Sequence, residues 1–121
     1  MIRNLVVVCL LSLAACAPCN IKPAVNHVVL VWLKPGTAPE VQEKIIEGSK
    51  TLKSIGQIRE LQVGTAIPSD RPIVDDSFSL GILMRFDSVE DMNTYIKDPR
   101  HVQFVDTWVK PYLQKIVVYD F

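Results

Sequence analysis

The chain has 121 residues, and its 13 basic and 13 acidic side chains cancel to a net charge of zero. That balance removes the electrostatic term that supplies nearly all nonspecific nucleic-acid affinity, so nucleic acid is not an expected partner. The length left after an N-terminal leader suits one domain with one modest core, and is too short for two.

The leader, residues 1–15, carries one positive charge, Arg3, then an apolar run from Leu5 to Ala15 relieved only by Ser12. This run is about half of the ~20 apolar residues that a spanning helix requires, and small residues close it, as in a secretory signal peptide. Leu13-Ala14-Ala15-Cys16 resembles the lipobox of bacterial lipoproteins. The resemblance implies a lipid on Cys16, a membrane anchor through it, and a place in the cell envelope facing the periplasm. Ala17, which is not aspartate, implies delivery to the outer membrane. Ordinary cleavage after a small residue, without lipid, is the alternative. Cys9 leaves with the signal, and Cys16-Ala17-Pro18-Cys19 lies in a proline-bearing tail, whereas a redox pair needs a folded helix N-terminus. Residues 16–25, with Pro18 and Pro23, read as a tether; lipidation consumes Cys16 and leaves Cys19 as a thiol in an oxidising compartment, able to pair between chains or to stay free.

The segment His27 to Leu33 is a β-rich apolar run stopped by the turn signal Lys34-Pro35-Gly36, and it predicts the first strand. Thr37 with Glu40 three residues on matches a capping box, and Val41, Ile45, Leu52 and Ile55 recur at helical spacing until Gly56. A strand over 58–67 carries Leu61, Val63 and Thr65 on one side, and a polar loop over 68–77 follows. Phe78, Leu80, Ile82, Met84 and Phe86 then occupy every second position, the clearest strand pattern in the chain. Ser88 and Asp91 cap a short helix ending near Lys97. Asp98 caps the next helix, with Pro99 at its first position, where a missing N–H costs nothing. Val102, Val105, Trp108, Val109 and Tyr112 form its apolar stripe to about Leu113. Residues 114–121 predict the last strand.

Strand, helix, strand, strand, helix, strand is the split βαβ order of an α+β ferredoxin-like fold, one sheet with helices on one face. Strand one is apolar on both sides, with His27, Val29, Val31 and Leu33 backing Val28, Leu30 and Trp32. The last strand repeats this, Ile116 and Val118 against Val117, Tyr119 and Phe121. A two-layer monomer leaves one such face wet, so a second copy is predicted to cover it, sheet against sheet, in a two-fold homodimer.

The chemistry-bearing stretch is Tyr95-Ile96-Lys97-Asp98-Pro99-Arg100-His101. It places a histidine in the first turn of a helix, where the positive end of the helix dipole favours a neutral ring able to accept a proton. Packing in the first turn of a core helix is the equal alternative for His101. His27, at the start of strand one, either points into the same pocket or is a satisfied edge residue. There is no Cys or His cluster of ligand spacing and no nucleophile turn, so neither a metal nor a cofactor is expected.

With His27-Val28-Val29-Leu30, Lys34-Pro35-Gly36, Val63-Gly64, Phe78 to Phe86, the Tyr95 to His101 element and Val117-Val118-Tyr119-Asp120, residues 26–121 resemble the stress-responsive dimeric α+β barrel (Dabb) family. The resemblance implies a homodimer whose two sheets form a barrel, with a small pocket between sheet and helices. At least one plant member is a polyketide cyclase whose tyrosine and histidine, corresponding to Tyr95 and His101, promote an intramolecular aldol condensation. Carried over, His101 is the general base and Tyr95 the orienting group of a cofactor-independent cyclase- or lyase-type enzyme. Asp98 stands where the family commonly has histidine, which alters charge at the pocket mouth. An envelope protein rarely meets the thioester-bound intermediates of cytoplasmic cyclases. The preferred reading is therefore a noncatalytic stress or binding protein. Its pocket, shaped by Tyr95, His101, His27, Trp32 and Trp108, takes a small aromatic or lipid-like molecule.

Overall fold

The computed structural model describes residues 24–121. The expected signal peptide, the expected lipidation at Cys16 and nearly all of the expected tether lie outside the described residues. The element order is β1 (Val25–Leu33), α1 (Pro39–Thr51), β2 (Glu60–Gly64), β3 (Leu80–Phe86), α2 (Val89–Lys97), α3 (Pro99–Phe104) and β4 (Leu113–Asp120). The strands form one sheet in the order β2-β3-β1-β4, every pair antiparallel. This is the expected ferredoxin-like arrangement, with β1 and β3 in the centre and the final strand at an edge.

Alternation decides which face is buried. On β1, His27, Val29, Val31 and Leu33 point under the helices, and register places the first three opposite Met84, Ile82 and Leu80 of β3. Ile45 of α1, with Leu52 and Ile55 after it, and Met92 and Tyr95 of α2 close the core over that face. Phe86, the last residue of β3, is fully buried among them. The other face of the sheet, with Val28, Leu30, Trp32, Leu83 and Val117, is only half-buried, and Tyr119 and Phe121 beside it are exposed.

Several local expectations change. Thr37 makes no capping box, because its hydroxyl donates to the Lys34 carbonyl and secures the turn; Ala38 stands at the α1 N-cap with no side-chain bond. The second strand is shorter than 58–67, since Ile58 N–H closes a turn onto the Ile55 carbonyl and its side chain is drawn into the core. Strand β3 starts at Leu80, as Phe78 leaves the ladder to lie across Gly81 and meet Trp32 edge-on at 6.4 Å. Both caps of the next two helices form: Ser88 Oγ accepts from Asp91 N–H, and Asp98 Oδ1 from Arg100 N–H.

The helix after Asp98 does not run regularly to Leu113. It widens into a π-helical turn at Val105–Val109 and tightens into a 3₁₀ turn at Lys110–Tyr112. Pro111 has no N–H to give an α ladder at that point, which accounts for the change of pitch. Helix α1 meets this segment closely at Gly48, where a Cβ would lie 2.5 Å from the Phe104 ring. Gly48→Val is therefore expected to lower stability by about 2 kcal/mol, the cost of an overpacked contact, as read from urea unfolding.

Candidate functional site

Strand register builds the site. The β1–β4 ladder sets His27 opposite Asp120, and the side chains meet, Nδ1 to Oδ1, at 2.6 Å. His27 is buried while the Asp120 carboxylate stays partly open to solvent. From the helix layer, the α2–α3 break brings Tyr95 and His101 to the same place. Their rings lie 4.5 Å apart, tilted by 44°, and Tyr95 is 6.3 Å edge-on from the His27 ring. Phe86 backs both, 5.2 Å from Tyr95 and 6.4 Å from His27.

These groups line a cavity of about 340 Å³ between the sheet and α2–α3. Its walls are otherwise aliphatic and aromatic, including Val29, Val31, Ile82, Phe104, Val109, Ile116 and Val118. A volume of this order lies at the lower end of the range for small-molecule sites, about 300–1,000 Å³.

The hydrogen bonds fix the tautomers. His101 Nδ1 lies 2.9 Å from the Ile96 carbonyl oxygen, and a carbonyl can only accept, so Nδ1 carries a hydrogen. His27 Nδ1–H likewise donates to the Asp120 carboxylate. In each neutral ring Nε2 is then the remaining acceptor. A carboxylate on Nδ1 is also the arrangement that orients an imidazole and offsets the charge it gains on taking a proton. Tyr95 is different in kind. Burial, with the Asp98 charge adding to it, pushes its phenol well above the ordinary range, so it is a neutral donor and not a base.

Of the five side chains expected around the pocket, three converge, His27, Tyr95 and His101. Trp32 does not, because its position on β1 turns it to the opposite face of the sheet, where Nε1–H donates to Ser77 Oγ and Lys115 Nζ lies 4.3 Å over the ring. Trp108 lies on the outer side of the helix layer, in a groove with Gly48, Arg100 and Thr107 and with Lys44 Nζ 5.7 Å from its ring. Asp98 does not line the cavity, although its charge reaches Tyr95 and His101. Arg100 grips its carboxylate through both oxygens, at 3.0 and 2.8 Å, and holds it below the usual carboxylate range. Asp120 was missed as a site residue, since only strand pairing across most of the chain brings it to His27. Among the described residues no cluster of three or more His, Cys, Asp or Glu side chains is arranged to hold a metal ion.

Residues 25–121 match the family model of the stress responsive A/B barrel domain. The chain belongs to this family. No curated protein matches the Dabb chain. Its fold is shared by many solved structures. The solution structure of a hypothetical Arabidopsis thaliana protein is 29% identical, with a TM-score of 0.68, and the match covers 83% of this chain and 88% of that one. A hydroxynitrile lyase from Passiflora edulis is 24% identical with a TM-score of 0.73, covering 83% and 93%. A dimeric protein of unknown function from Bacteroides fragilis, with a ferredoxin-like fold, is 21% identical with a TM-score of 0.68, covering 81% and 94%.

Proposed function

We propose that this Dabb chain is an envelope lipoprotein, anchored through Cys16, that binds a small aromatic or lipid-like molecule in the cavity at Tyr95 and His101 as a homodimer. The observation that carries the reading is the make-up of the cavity, an aliphatic enclosure with its polar groups gathered at His27, Asp120, Tyr95 and His101. Such a site selects an apolar body bearing one hydrogen-bonding group. The lipobox residues support the anchor. The half-buried outer face of the sheet and the dimeric relative from Bacteroides fragilis support the second copy.

Native mass spectrometry of the chain, purified gently from cells, tests this directly. A dimer carrying a stoichiometric small molecule is the expected result. A monomer at micromolar concentration would remove the sheet-packing argument, and an occupant that survives filling of the cavity by Val29→Trp would remove the site.

The tautomers favour a second reading, a cofactor-independent enzyme of cyclase or lyase type. His101 Nε2 would take a proton from a carbon beside a carbonyl, or from a hydroxyl, while the Tyr95 phenol donates to the oxygen that gains charge. The hydroxynitrile lyase with this fold is consistent with such a role. The two readings separate on one variant: His101→Ala is expected to lower any turnover by about 10²–10⁴-fold, whereas ligand binding changes by less than about tenfold.

A further inference from the structure

We propose that the cavity takes the single acyl chain of a fatty acid, drawn from the bilayer to which the domain is tethered, with the carboxyl head at the His27–Asp120 end. This rests on the reading of an anchored binding protein and adds the ligand class and its source.

Register gives the cavity a direction. Along the paired strands, His27–Asp120 is followed by Val29–Val118 and then Val31–Ile116, with Val109 over the strands. One end is therefore polar, and about 13 Å of strand beyond it is aliphatic, at the rise of an antiparallel ladder. This is the polarity of a single-chain amphiphile. The acceptor Nε2 of either imidazole can share the proton of a carboxyl head.

The opening faces the solvent with apolar side chains. Ile116 and Val118 on edge strand β4 line the cavity and are each 45% exposed although they point to the helix side. Ile96, at 38%, completes the rim beside the polar end. Aliphatic residues at an entrance suit passage of a hydrocarbon chain and are costly against water.

The tether sets where that entrance sits. β1 starts at Val25, two positions before His27, so the polar end of the cavity is the end at which the chain leaves for Cys16. The intervening residues 17–23 span about 25 Å at full extension, which holds this end of the domain close to the membrane surface.

The test uses the full lipidated chain in phosphatidylcholine–phosphatidylglycerol vesicles containing perdeuterated myristic acid. After re-isolation, native mass spectrometry counts labelled fatty acid per chain. Stoichiometric label is expected in the wild type. Val118→Asp and, on a different element, Ile96→Asp should each lower loading about tenfold, as a carboxylate at the rim opposes an apolar chain. Cys16→Ser, unanchored, should load more slowly from the same vesicles. A wild type that takes no label yet carries another small molecule from cells would overturn the acyl proposal and leave the binding function standing. Equal loading rates for wild type and Cys16→Ser would overturn delivery from the bilayer. An empty cavity under every condition would overturn both.

Discussion

Phe86→Ala is expected to lower stability by about 3–5 kcal/mol, the usual cost of emptying a large buried aromatic site. In a domain of this size that corresponds to a fall of about 15–30 °C in melting temperature. Phe86 has no solvent exposure and ends a strand paired with the first residues of β1. It also lies between the sheet and α2, 5.2 Å from the Tyr95 ring and 6.4 Å from His27. The space left by truncation thus opens directly behind two of the groups that line the cavity between sheet and helices. Because a single domain commonly has only about 5–15 kcal/mol of stability in all, one substitution here consumes a large share of it. Phe78→Ala is the control, as Phe78 is half-buried on the other face of the sheet against Trp32. Calorimetry should show a much smaller loss for Phe78→Ala; equal losses would mean that the helix-side cluster does not dominate the core.

The fold was readable because each element's pattern pointed the same way. Alternation from Leu80 to Phe86 and the apolar spacing of Ile45, Leu52 and Ile55 mark the faces that pack together. The Ser88 and Asp98 caps were equally legible, being decided within a few residues. Thr37 was misread because its hydroxyl had two local partners, and the Lys34 carbonyl in the preceding turn won over the first-turn N–H groups. The site was legible where it is local, at Tyr95 and His101, and where one strand carries a residue on the buried face, at His27. Trp32 shows the limit of reading by residue type, for an aromatic one position out of phase on a strand faces the other way. Asp120 shows the limit of distance along the chain. Its partner is 93 positions away, and nothing in a lone aspartate next to a C-terminal phenylalanine announces a histidine across the ladder.

This geometry also separates the three ionisable groups by what each can do. The two imidazoles have Nδ1 committed, to Asp120 and to the Ile96 carbonyl, so each presents the same acceptor atom. Tyr95 contributes a donor between them. An apolar enclosure with two acceptors and one donor can hold a carbonyl or a hydroxyl without any water, which is why binding and proton transfer are neighbouring uses of one arrangement.

Tyr95→Phe is expected to abolish most of the alkaline destabilisation of the domain. Burial raises the phenol's affinity for its proton in the folded state, first by desolvating the phenolate and then through the nearby Asp98 charge. In the unfolded chain the same group titrates near its ordinary value, about 10. Below that value both states hold the proton and the phenol adds no pH dependence. Above it the unfolded chain releases a proton that the folded domain retains, so the folded state binds more protons and stability must fall as pH rises. The fall continues until pH reaches the raised folded value. Urea midpoints measured between neutral pH and about 11 should therefore decline in the wild type and stay nearly level in Tyr95→Phe, apart from the shallower effect of exposed lysines. The variant keeps the ring in its place against Phe86 and His101, so a changed slope reports the hydroxyl and not lost packing. Equal slopes would mean that the Tyr95 hydroxyl holds its proton no more tightly in the folded domain than in the unfolded chain, and would overturn its burial as the source of the alkaline destabilisation.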